Sequence, residues 1–134
     1  MKNFIYSLLI SSVFILSACE KDEGKLPNIS FNTSAGYLSA DANVAKGASF
    51  KIGIIASKAE DKDVLKKFNL SKSVNGAAAS TVLDKSLSGA EEDNYSYEYS
   101  AVADTIVGQK TKYTFTVTNR DGLVNQVALT VTVQ

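Results

Sequence analysis

The chain has 134 residues, 14 basic and 14 acidic side chains, a single cysteine, and neither histidine nor tryptophan. Balanced charge without a basic cluster excludes a partner read through its phosphates, so no nucleic acid is expected, and a lone cysteine excludes a disulfide scaffold. Without histidine there is no Ser-His-Asp or Cys-His arrangement and no histidine zinc site. The expectation is therefore a non-enzyme with no cofactor and no metal.

Met1-Lys2-Asn3 is a short, positively charged start. Phe4 to Leu16 is apolar apart from Ser and Tyr. As a helix these about 13 residues would span roughly 20 Å, too short for a hydrocarbon core of about 30 Å. The stretch fits the hydrophobic region of a secretory signal. Leu16-Ser17-Ala18-Cys19 then resembles the lipobox of bacterial lipoproteins. That resemblance implies cleavage after residue 18, lipidation of Cys19 with acyl chains such as palmitate, and membrane attachment through that lipid. Two or more acyl chains suffice for stable anchoring. Glu20-Lys21-Asp22-Glu23-Gly24 follows directly. Lys21, Asp22 and Glu23 resemble the lipoprotein export signal of Bacteroidetes, which implies an outer-membrane location facing the cell exterior. Residues 1–18 are thus read as signal peptide, 19–28 as lipidated Cys and tether, and 29–134 as one domain. Removing 1–18 takes only Lys2 from the charges, leaving 13 basic against 14 acidic.

From Ile29 onward the hydrophobic period is two, the signature of strands. Ile29 and Phe31 alternate with Ser30 and Asn32; Ala35-Gly36-Tyr37-Leu38 reads as a second short extended piece, and 41–47 as a polar connection. Phe50, Ile52, Ile54 and Ala56 predict a strand with its even-numbered face buried. Residues 59–65 suggest a single helical turn, with Asp61 and Asp63 beside Lys62, Lys66 and Lys67 on a solvated face. Phe68, Leu70 and Val74 lead into an Asn75-Gly76 turn, Ala77-Ala78-Ala79 into a flexible loop, and Thr81-Val82-Leu83 into an edge strand. Leu87 to Asn94 is a polar, acidic loop, and Tyr95, Tyr97, Tyr99, Ala101 and Ala103 form the next alternating row.

The last two strands fix their own register. Tyr113, Phe115 and Val117, and then Val127, Leu129, Val131 and Val133, all fall on odd positions. Opposed residues in an antiparallel pair have a constant sum, and odd faces odd only when that sum is even. A three-residue loop Arg120-Asp121-Gly122 satisfies this and pairs Phe115 with Val127 and Tyr113 with Leu129. Gly122 supplies the left-handed residue such a loop needs, and any other register would turn one apolar row into solvent.

The fold class is therefore all-β: a sandwich of about seven strands, expected to be antiparallel. The segment Lys112 to Leu123 followed by Val127 to Val133 resembles the closing strands of bacterial immunoglobulin-like domains, most closely the small ones of Bacteroidetes surface lipoproteins. The cysteine pair and tryptophan of antibody domains are absent.

Tyr95, Tyr97 and Tyr99 are the candidate ligand-binding residues. At spacing two they share one strand face. Their polar neighbours Ser96, Glu98 and Ser100 favour a tyrosine row turned to the core; turned outward, the same row would stack on sugar rings. Glu91, Glu92, Asp93 and Asn94, with Asp41 or Asp104, supply calcium-type oxygens, but without the spacing of a calcium loop they read as a solvated acidic stretch. The functional expectation is a cell-surface lipoprotein, a non-enzymatic binding or accessory module of an outer-membrane complex with a protein partner. The alternative is a glycan-binding lipoprotein that assists polysaccharide capture.

Overall fold

The computed structural model describes residues 24–134. The expectations placed on the signal peptide, on Cys19 and on Lys21, Asp22 and Glu23 lie outside the described residues. Among the described residues are eight strands: β1 (Asn28–Phe31), β2 (Ala42–Val44), β3 (Ser49–Ser57), β4 (Leu65–Val74), β5 (Ser80–Ser86), β6 (Asn94–Val102), β7 (Lys110–Asn119) and β8 (Val124–Val133). They form a three-stranded sheet, β1-β3-β6, and a five-stranded sheet, β2-β8-β7-β4-β5. Two sheets packed face to face make the expected all-β sandwich.

The alternating residues build the core between the sheets. Phe50, Ile52, Ile54 and Ala56 of β3 are buried, as are Phe68 and Leu70 of β4, Phe115 and Val117 of β7, and Leu129, Val131 and Val133 of β8. The hairpin register is the one that parity requires: Phe115 opposes Val127 and Tyr113 opposes Leu129. Asn119 N–H donates to the Leu123 carbonyl at 3.0 Å and Gly122 N–H to the Asn119 carbonyl at 3.1 Å, with Gly122 at φ +81°. Asn75 and Gly76 both adopt positive φ, 51° and 76°, in the tight turn after β4.

Three expectations are corrected. The connection 41–47 contains β2, which lies parallel to β8, so the sandwich is not wholly antiparallel. Three residues are too few to display a period, and β2 is held by position: the Thr130 N–H donates to the Asp41 carboxylate and the Gln134 N–H to the Val44 carbonyl. Residues 59–65 form no helix; a turn closed by Asp63 N–H on the Glu60 carbonyl leads straight into β4. A short 3-10 turn instead occupies Gly89–Glu92, in the acidic loop.

Asp63 is also not solvated. It is 1% exposed, and its carboxylate accepts the Asn119 Nδ2 hydrogen at 2.6 Å and the Val64 N–H at 2.8 Å. Asn119 Nδ2 also donates to the Lys25 carbonyl at 3.2 Å, and its Oδ1 accepts the Leu123 N–H at 2.8 Å. One buried amide thus joins the N-terminal lead, the turn before β4 and the β7–β8 hairpin. Replacing Asn119 with Ala leaves the Asp63 carboxylate and two backbone groups short of partners, each lost buried bond costing about 1–3 kcal/mol. Urea unfolding of N119A is expected to show a stability loss of about 2 kcal/mol or more. A loss within error would mean that this amide does not hold the three segments together.

Candidate functional site

β6 alternates so that Tyr95, Tyr97 and Tyr99 face the opposite sheet. Tyr95 is 7% exposed, and Tyr97 and Tyr99 are partly buried against the core. The Phe68 ring lies 5.1 Å from both Tyr95 and Tyr97, and Tyr99 lies 5.3 Å from Tyr113. Lys85 sits over the Tyr95 ring at 5.1 Å. Burial raises the phenol pKa of Tyr95, Tyr97 and Tyr113 above the ordinary value, so these hydroxyls stay protonated. The row is part of the aromatic packing between the sheets, with Tyr97 and Tyr99 partly buried and Tyr99 also lining a cleft at the end of β6.

The outer face of the same sheet carries a different cluster, which the sequence reading did not single out. Gly53, in the middle of β3, has no side chain because the space is taken. A Cβ there would meet Asn32 Cβ at 3.0 Å and the Tyr37 ring at 3.1 Å. A glycine inside a strand commonly marks such a close approach, and this was the one available signal. Tyr37 reaches across Gly53 from the segment after β1, and its hydroxyl donates to Glu98 Oε2 at 2.5 Å. Lys51 lies 4.0 Å from the other Glu98 oxygen and 5.3 Å from the Tyr37 ring centroid. The Ser100 hydroxyl approaches Glu98 at 3.4 Å. The Tyr37 hydrogen bond, then Lys51, holds the Glu98 carboxyl below the ordinary glutamate range, and the same bond raises the Tyr37 phenol.

The acidic loop is an ion-pair clasp. Glu91 meets Lys85 at 2.5 Å, Glu92 meets Lys66 at 2.5 Å and Asp93 meets Lys58 at 2.8 Å. Asp104 is engaged by the Thr105 N–H and the Gln109 amide. Among the described residues no group of three or more His, Cys, Asp or Glu gathers to hold a metal ion.

The domain has two unlike ends. At one, the Lys25 and Pro27 carbonyls accept from Asn119 and Asn125 and pin the N-terminal lead to the β7–β8 hairpin; Leu26 and Val124 are exposed there. At the other, Val102, Ile106 and Val107 are 64%, 60% and 64% exposed on the end of β6 and the loop to β7. Two clefts adjoin Val102, about 200 Å³ between the sheets and about 380 Å³ beside Lys51 and Ser100, both lined by Phe50, Ala101 and Val102.

No family and no curated protein sequence matches the chain. Solved structures do. A single-substitution form of the superoxide reductase (neelaredoxin) from Ignicoccus hospitalis superposes with a TM-score of 0.54 at 10% identity, over 81% of this chain and 80% of that one. The unsubstituted form superposes at 0.51 and 9% identity, over 82% and 81%. At these identities the likeness to this one enzyme, in two forms, shows the sandwich fold alone.

The Tyr37–Glu98 bond makes a pH prediction. Because the folded carboxyl is lowered, its contribution is full above the ordinary glutamate pKa and lost as pH falls through the lowered folded value. The raised phenol adds an alkaline loss, which begins at its ordinary value of 10.0 and is complete above the folded one. NMR titration of the Glu98 carboxyl in Tyr37→Phe is expected to show its pKa moving back up toward the ordinary glutamate range. An unmoved value would mean the bond is absent in solution.

Proposed function

We propose that this chain is a lipid-tethered, non-enzymatic binding module of the bacterial cell surface, an accessory subunit of an outer-membrane complex whose protein contact is made by the loop end carrying Ile106 and Val107. The observation that carries the reading is the polarity of the domain. Its N-terminal lead is pinned at one end, and the most exposed apolar side chains stand at the other. Exposed apolar groups gathered at one place favour a contact role.

The lipobox resemblance at Leu16–Cys19 supports the tether, and Lys21, Asp22 and Glu23 support export to the outer face. Five residues, Glu20 to Gly24, separate Cys19 from the pinned Lys25, six steps that reach at most about 22 Å. The module would then ride close to its membrane with the loop end turned away from it. Carboxylates tied to lysines, and a chain without histidine, support a non-enzymatic role. A protein contact is preferred to polysaccharide because Tyr95, Tyr97 and Tyr99 are occupied by core packing.

The test is chemical crosslinking on intact cells producing the full chain. Protease is expected to cut it from outside, Cys19→Ala is expected to lose the acyl label and the membrane fraction, and the wild type to crosslink to outer-membrane proteins. Ile106→Ser with Val107→Ser is expected to lose those crosslinks while keeping its thermal midpoint. Crosslinks unchanged in the double variant would overturn the contact site. A chain left uncut until the outer membrane is permeabilised would overturn surface display.

A further inference from the structure

Four strands end the two sheets, and three of them are poor templates for pairing. β1 has four residues and β2 three. β5 carries Asp84 and Lys85 and sits against a register shift at Leu70/Ser71. β6 is different. It has nine residues, contains no Pro, Lys or Arg, and pairs with β3 without a register shift from Ser49↔Val102 to Ser57↔Asn94. Short strands, bulges, prolines and lysines are how edges are protected, and β6 has none of these.

The direction of its free hydrogen-bonding groups follows from its ends. The Asp93 carbonyl accepts the Lys58 N–H at 3.1 Å, and the Ala103 N–H donates to the Ala48 carbonyl at 2.8 Å. Both residues are odd-numbered, so the odd residues of β6 turn their N–H and C=O groups to β3. The even ones, Asn94, Ser96, Glu98, Ser100 and Val102, turn theirs to the open edge. The strand's single charge is drawn away from that edge, since Tyr37 and Lys51 hold the Glu98 carboxylate back over β3.

We propose that β6 is a strand-pairing surface that joins two copies of this chain, antiparallel about a two-fold axis at Tyr99, into a continuous sheet β1-β3-β6-β6-β3-β1. The edge complements itself. Even residues oppose even residues, so the free N–H and C=O groups of one copy meet those of the other. With the axis at Tyr99, Glu98 opposes Ser100 and Ser96 opposes Val102, and no like charges meet. The neighbouring register, with its axis on Glu98, would oppose two carboxylates, which is destabilising. The inner faces join the tyrosine rows of the two copies, and Val102, exposed in one copy, gains a strand beside it. The two N-terminal leads emerge at opposite ends of the pair.

Sedimentation of the chain from Glu20, which keeps every residue of both sheets, tests the pairing independently of the lipid anchor. The wild type is expected to show a monomer–dimer equilibrium. Ser100→Glu sets Glu against Glu98 at two symmetric positions and is expected to raise the dissociation constant about tenfold, whereas Ser100→Lys leaves it unchanged or lowers it. Ser100 is exposed, so both variants should fold, which circular dichroism verifies. A wild type that stays monomeric at millimolar concentration overturns the proposal. So does a dimer indifferent to the sign of the charge at residue 100.

Discussion

The structure depends on one aromatic seam. Phe68 of β4 lies 5.1 Å from the rings of Tyr95 and Tyr97 across the sandwich and 6.4 Å from Phe115 beside it. Phe31 meets Phe115 edge-on at 6.1 Å, and Tyr113 is flanked by Phe50 and Tyr99. The chain's single cysteine precedes the sandwich, so no disulfide ties the sheets. What holds three strands onto five is apolar burial together with these ring contacts, which add about 0.5–1.5 kcal/mol per pair beyond area.

That seam decides what is left for function. The tyrosines of β6 turn inward to the seam, and the strand's outward residues become the sheet's surface. The surface is then organised by Tyr37, which lies over Gly53 and binds Glu98. Val102, Ile106 and Val107, at the end of β6 and in the loop after it, are more exposed than Leu26 and Val124 at the pinned end. The same alternation that fills the core therefore sets the chemistry of the outer face and leaves the β6 edge open.

Much of this was legible in sequence because it is periodic. The buried face of β3 and the register of the β7–β8 hairpin follow from parity alone, since a one-residue slip would expose an entire row. The β-sandwich class follows from the number and spacing of such rows. What was illegible is what depends on partners distant in the chain. β2 is a strand only because β8 lies beside it. Asp63 reads as solvated among lysines until Asn119, far along the chain, folds over it. Lys58, Lys66 and Lys85 reach the acidic loop from elsewhere, so its charges look free in sequence and are paired in the fold. Tyr37 gave no signal of its own; only the glycine it covers did.

The tyrosine row belongs to the seam. A double-mutant cycle between Phe68→Leu and Tyr97→Leu, read by denaturant unfolding, tests it most directly. Rings packed across the sandwich predict a coupling energy of about 0.5–1.5 kcal/mol. Strictly additive losses would mean that Tyr97 does not lean on Phe68 in solution, and the row would again be free to face a ligand.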